Sequence, residues 1–129
     1  MKIKVMNKIC TSIEQSKKLI ELGIDRNTAD MLWTYDFTVN DINGLNVIST
    51  YLKPEENDIP AWSLSALMEL IPDIIEDYVL RMDKIDGEYY IWYDKIGEGW
   101  SDNIVHPSSK NFIDAAFETI VWLKENEKI

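Results

Sequence analysis

The alternation of apolar and polar residues is clearest on either side of Asp86-Gly87. Residues 78–85 and 88–95 have the pattern of strands, and Asp-Gly between two such runs is typical of a two-residue hairpin turn. The turn sets the register, because each residue then pairs with the one equally far from the turn. This pairing places Arg81 beside Trp92 and Asp83 beside Tyr90. The other face should be core and carries Leu80, Met82, Ile91 and Tyr93.

Apolar residues at helical spacing predict a first helix over residues 12–22. Thr11 followed by Glu14 has the pattern of a capping box, in which two side chains close the first turn. Gly23 stands where a helix commonly ends in a left-handed residue. We therefore expect a short amphipathic helix near the start of the chain.

Two further helices are predicted in the second half of the chain. Residues 64–71 form an apolar stripe with Ser63 as the N-cap. The last helix spans residues 111–126 and is capped by Ser109 or Asn111. Its buried face should consist of Ile113, Ala116, Phe117, Ile120 and Leu123.

Shorter runs predict further strands over residues 31–37, near residues 47–52 and at residues 104–105. Asn43-Gly44 is a turn signal between the first two. The expected fold is therefore α+β, a small antiparallel meander sheet with two or three helices packed on one face. A length of 129 residues suits a single domain over residues 1–129.

The charge is strongly and unevenly acidic. The net charge is −10, yet residues 1–26 carry six bases and three acids. Nucleic-acid binding normally draws its affinity from a basic surface, so this balance argues against a nucleic-acid partner. The basic first helix, with Lys17 and Lys18, keeps a nucleic-acid-associated protein open as an alternative.

Candidate catalytic groups are few. His106 is the only histidine, and its neighbours Asp102 and Ser108 are close in sequence without thereby forming a triad. We expect it to be a loop or surface residue. A small hydrolase or transferase that uses a carboxylate or His106 stays open as an alternative.

Cysteine and metal chemistry find little support in the sequence. Cys10 precedes the first helix, where a lowered pKa would favour a nucleophile, but the ordinary role of a lone cysteine is that of a small buried residue. One cysteine and one histidine cannot make a structural zinc site. The Asp-Gly turn also fails the spacing of a calcium loop. We expect no metal and no cofactor.

An interaction surface is the strongest functional signal. Residues 69–102 hold ten acids and three bases, with tyrosine and tryptophan residues interleaved. Both faces of the hairpin carry aromatic residues, so the non-core face is either covered by the loop 36–60 or binds a partner. A basic protein suits such an acidic surface. The residues assigned to this interaction are Arg81, Asp83, Tyr90, Trp92 and Trp100.

Several stretches together resemble a family of small uncharacterised proteins of gut anaerobic bacteria, often carried on prophages or mobile elements. These stretches are Cys10–Leu19 with Asn27–Met31, then Pro60–Leu67, then Ile113–Glu118 with Trp122–Asn126. The resemblance spans most of the chain in the same order. It implies a bacterial or phage cytoplasm and an accessory role, and it brings no activity or catalytic residue with it.

The sequence therefore predicts a non-enzymatic protein-interaction or accessory module. The N-terminus has no apolar signal-peptide core, and no apolar run reaches the roughly 20 residues of a membrane span. We accordingly expect a cytoplasmic protein with a protein partner and no membrane association. The pattern leaves the oligomeric state open.

Overall fold

The computed structural model describes residues 8–35, 45–49, 58–97, 103–105 and 107–129. Within these ranges the chain forms three α-helices and two antiparallel sheets, which confirms the predicted α+β class. The helices are α1 (Ile13–Glu21), α2 (Leu64–Leu70) and α3 (Phe112–Glu125). The strands are β1 (Met31–Tyr35), β2 (Leu45–Ser49), β3 (Ile59–Ala61), β4 (Ile74–Ile75), β5 (Tyr78–Ile85), β6 (Glu88–Lys95), β7 (Asn103–Ile104) and β8 (Ser108–Ser109).

The strands divide into two sheets. In the first, β1 is central and pairs with β2 on one side and with β3 on the other. The second is the predicted meander, in the order β4-β5-β6-β7, and β8 also pairs with β6. The turn Asn43-Gly44 and residues 36, 37 and 50–52 of the predicted strands lie outside the described residues.

The register of the β5–β6 hairpin is the predicted one. Arg81 pairs with Trp92 and Asp83 pairs with Tyr90, while Ile85 and Glu88 close the turn. Gly87 has a φ of 81°, a left-handed conformation that glycine adopts without steric cost. The Asp-Gly turn thus aligns all eight residue pairs of the hairpin.

The start of α1 is one residue later than predicted. The N-cap is Ser12, whose hydroxyl accepts the Gln15 N–H at 3.1 Å, while the Gln15 side chain accepts the Ser12 N–H at 3.0 Å. The Thr11 hydroxyl is engaged elsewhere, since it accepts the Trp62 N–H at 3.0 Å. At the other end Gly23 has the predicted left-handed conformation, with a φ of 93°.

The main core lies between β6 and the helices α2 and α3. Ile91 and Tyr93 project from β6 into it and are fully buried. The five residues predicted for the inner face of α3 are all buried, namely Ile113, Ala116, Phe117, Ile120 and Leu123. Ser63 caps α2 as predicted, and its hydroxyl accepts the Ala66 N–H at 3.2 Å.

One predicted core residue is not in the core. Met82 lies on the same face as Ile91, its partner on β6, but its side chain is 46% exposed. Of the helices, α3 makes the main contact with β6, and β5 is exposed from Arg81 to Ile85. The alternation of residues predicts which face a side chain is on, and the reach of the covering helices decides whether that face is buried.

Candidate functional site

The β5–β6 hairpin brings the predicted interaction residues together. Cross-strand partners point to the same face of a sheet, so Arg81, Trp92, Asp83 and Tyr90 share the face opposite to Ile91 and Tyr93. We call this the outer face. It carries the side chains of Val79, Arg81, Asp83, Ile85, Glu88, Tyr90, Trp92 and Asp94. The fifth predicted residue, Trp100, lies outside the described residues.

Asp94 organises the centre of the outer face. Its Oδ1 accepts a hydrogen bond from the Trp92 indole N–H at 2.9 Å, and its Oδ2 lies 3.8 Å from Nε of Arg81. The pairing of Arg81 with Trp92 would also allow a cation–π contact between them. In the described part of the hairpin the cation–π contact is instead that of Lys84, whose Nζ lies 5.1 Å from the Tyr89 ring centroid on the core-side face.

Tyr90 is the second aromatic residue of the outer face. Its hydroxyl donates to Oε2 of Glu88 at a separation of 3.4 Å. The negative charge of Glu88 is the main reason that the pKa of Tyr90 lies above its usual value. The phenol therefore stays protonated at neutral pH and remains a hydrogen-bond donor.

The outer face is acidic and accessible. The described residues of the outer face and the adjoining turn include four carboxylates and one base. The carboxylates are those of Asp83, Asp86, Glu88 and Asp94, and the base is Arg81. The side chains from Arg81 to Ile85 are exposed, and those of Tyr90 and Trp92 are half-buried. Most of the loop predicted as a possible cover lies outside the described residues. The face thus combines apolar rings with negative charge in contact with solvent.

Cys10 has the ordinary role expected of a lone cysteine. It is buried, with 3% of its surface exposed. Burial raises the pKa of its thiol and outweighs the opposing charge of Lys8. The thiol is therefore protonated at neutral pH, which disfavours the nucleophile that its position before a helix suggested.

A groove of about 490 Å³ lies beside the N-termini of α2 and α3 and includes Lys8 in its lining. The Lys8 ammonium already has partners, since it donates to Asp114 Oδ1 at 2.7 Å and to Gln15 Oε1 at 2.5 Å. Gln15 also donates to Asp114 Oδ1 at 2.8 Å. This network neutralises the lysine and ties the residues before α1 to α3.

We expect Asp114→Asn to lower the free energy of unfolding by about 1 kcal/mol near neutral pH. Partial burial acts to raise the pKa of Asp114, but hydrogen bonds from Lys8 and Gln15 and the charge of Lys8 hold it below its ordinary value of 3.8. The stabilisation is therefore complete above that value and is lost as the pH falls through the lower folded-state pKa. Urea unfolding of both proteins across the acid range should show their stabilities converging; a constant difference would contradict this.

The structure describes only some of the residues on which the hydrolase or transferase hypothesis and the nucleic-acid hypothesis depend. A smaller groove of about 260 Å³ is lined by Glu118 and Glu125 of α3, together with Val105 and Pro107. Both glutamates are exposed, and His106 lies outside the described residues. On α1, Lys17 is exposed and Lys18 is half-buried. The hydrolase and nucleic-acid hypotheses stay predictions.

Comparison with protein-family models, with curated proteins and with solved structures finds no match. The resemblance to proteins of gut anaerobes and their prophages therefore stays a prediction. Among the described residues, no group of histidine, cysteine and carboxylate side chains is placed to hold a metal ion. Within those same ranges, every helix is too short or too polar to cross a bilayer.

Proposed function

We propose that this protein is a non-enzymatic interaction module that binds a basic segment of another protein on the outer face of the β5–β6 hairpin. The setting that fits the resemblance is an accessory role in the cytoplasm of a bacterium or phage-infected cell. The observation that carries the proposal is the clustering of Asp83, Glu88 and Asp94 around two half-buried aromatic rings.

The chemistry of the outer face suits lysine and arginine side chains. Carboxylates at the rim attract cations and speed the encounter, with an effect that added salt weakens. The rings of Tyr90 and Trp92 offer apolar area to the alkyl stems, and aromatic residues often anchor protein interfaces. The face thus provides both long-range attraction and short-range contact for the same partner.

The test is a titration with a short peptide in which lysine alternates with threonine, followed by fluorescence anisotropy at low salt. The double variant Asp83→Lys with Glu88→Lys should raise the Kd about tenfold or more, since it replaces two attractions by two repulsions of about 0.2–1 kcal/mol each. The matched control is Glu118→Lys with Glu125→Lys, which changes the net charge equally on exposed positions of α3.

When the titration is repeated at physiological salt, where the Debye length is about 8 Å and remote charges are screened, the control variant should bind the peptide within about twofold of the parent protein. A peptide in which glutamate replaces lysine should not bind. If both double variants weakened peptide binding equally, the effect would come from the net charge of the protein. That result would contradict a binding site on the hairpin. Absence of binding by the lysine peptide at low salt would overturn the proposal itself.

A further inference from the structure

The outer edge of β5 is paired along only part of its length. β4 pairs with Tyr78 and Val79, and the Leu80 N–H donates to the Asp73 carbonyl at 2.9 Å. In the described ranges, no strand pairs with this edge from Arg81 to Ile85. The opposite edge of the hairpin is used along its length, since β6 pairs with β7 and β8 and its Ile91 N–H donates to the Pro107 carbonyl at 3.4 Å.

The hairpin geometry identifies which backbone groups are available. In an antiparallel pair, successive residues point their N–H and C=O groups alternately toward and away from the partner strand. The Leu80 N–H points away from β6, toward the Asp73 carbonyl. The backbone N–H and C=O groups of Met82 and Lys84, two and four residues later, therefore also point away from β6. Asp83 Oδ1 accepts the Lys84 N–H at 2.8 Å. Met82 N–H, Met82 C=O and Lys84 C=O have no backbone partner among the residues that the structure describes, and they are oriented to pair with a further strand.

Pairing with a second copy of this edge is disfavoured in each possible antiparallel register. In the register that places Met82 opposite Met82 of the copy, the strand of the copy would also have to pair with Leu80. The outward N–H of Leu80 is already bonded to the Asp73 carbonyl. Met82 opposite Lys84 would place the two Asp83 side chains directly opposite each other. Lys84 opposite Lys84 would oppose two ammonium groups. Like charges directly opposite across strands are destabilising, and such charges are a common protection of edge strands.

An incoming strand that carries lysine or arginine opposite Asp83 meets none of these obstacles. Its cation would lie on the outer face, close to Asp83 and the ring of Tyr90, the cross-strand partner of Asp83. The exposed side chains of Met82 and Ile85, at 46% and 52% exposure, flank this position on the two faces of the strand. Charge complementarity therefore selects a basic segment as the occupant of the edge.

We propose that the basic partner binds as an extended strand added antiparallel to β5 at residues 82–85. The proposal rests on the proposed function and specifies the mode of binding. Main-chain hydrogen bonds to Met82 and Lys84 would provide affinity, and a cation opposite Asp83 would provide selectivity, as in other cases of strand addition to a sheet edge.

The test compares two N-methylated forms of the lysine–threonine peptide. With lysines opposite Asp83, an antiparallel strand turns the threonine N–H groups toward β5 and the lysine N–H groups toward solvent. Methylation of the threonine nitrogens should raise the Kd about tenfold or more, because it removes donors and adds bulk at the edge. Methylation of the lysine nitrogens should leave the Kd within about twofold.

The outcomes separate this inference from the proposed function. Equal binding of both methylated peptides, with the effect of Asp83→Lys and Glu88→Lys retained, would overturn the added strand and leave the acidic site standing. Loss of binding only on methylation of the lysines would overturn the antiparallel arrangement. A dimer of the protein, seen by sedimentation and broken apart by the lysine peptide, would place a second copy on the edge and overturn the assignment of the basic segment.

Discussion

Trp62→Ala is expected to lower the free energy of unfolding by about 3–5 kcal/mol, the range found when a fully buried tryptophan is truncated. Trp62 has no exposed surface and belongs to the main core. Its indole N–H also donates to the Thr28 hydroxyl at 2.9 Å. The substitution therefore leaves a cavity and removes a hydrogen bond between the residue before the α2 N-cap and the 3-10 turn Arg26–Thr28. Urea unfolding followed by circular dichroism measures the loss.

Two controls give this result its meaning. Trp62→Phe keeps most of the apolar volume and loses the indole donor, so we expect a smaller loss of about 1–3 kcal/mol. Trp122→Ala removes the same side chain from a half-buried position on α3 and should also cost less than Trp62→Ala. Similar stability of Trp62→Ala and the parent protein would contradict the burial that the structure shows.

Local signals were sufficient to predict the helices and the hairpin. Asp86-Gly87 determines the register of β5 and β6 through the geometry of its own turn, and the Ser63 and Asn111 side chains cap helices through bonds to the next few residues. Each of these contacts is made within a few positions along the chain. The pattern of residues around them therefore contains the information.

The strands β3, β4 and β8, each two or three residues long, were missed, while the equally short β7 was predicted one residue late, at residues 104–105 instead of Asn103–Ile104. Their hydrogen bonds depend on strands that other parts of the chain supply. β3 is a strand because β1 lies beside it, even though its central residue is Pro60. No periodicity can be recognised over so few positions.

The candidate site was predictable in its composition and only partly in its contacts. The pairs Arg81–Trp92 and Asp83–Tyr90 follow from the turn. The contacts of Arg81 and of the Trp92 indole with Asp94 do not follow from the turn, because they depend on side-chain rotamers that the register leaves open. Lys8 and Asp114 are 106 positions apart, and only the tertiary fold brings them to 2.7 Å.

The shift of the α1 N-cap from Thr11 to Ser12 has a tertiary cause. Thr11 is fully buried, and its backbone N–H donates to the Trp62 carbonyl at 2.9 Å. Its Oγ1 accepts the Trp62 N–H and shares a 2.8 Å hydrogen bond with the Ser16 hydroxyl. The Thr11 hydroxyl is thus bonded both to Trp62, which follows β3, and to Ser16 of α1. Ser12 therefore caps the helix in its place.

Thr11→Val is accordingly expected to lower the free energy of unfolding by about 2–4 kcal/mol. Valine matches the shape of threonine, but it leaves the buried Trp62 N–H and the fully buried Ser16 hydroxyl without this partner. A buried polar group left unsatisfied costs about 1–3 kcal/mol. Urea unfolding measures the total, and Thr11→Ser, which retains the hydroxyl, should lose markedly less.

The double variant Thr11→Val with Ser16→Ala shows how this loss is divided between the two groups. Ser16→Ala removes the orphaned hydroxyl, so the two substitutions together should cost less than the sum of their separate effects by about 1 kcal/mol. Strict additivity would mean that Ser16 finds another partner when Thr11 is changed. In that case the stabilising contact of Thr11 would be the one to the Trp62 N–H, and the hydroxyl pair would contribute little.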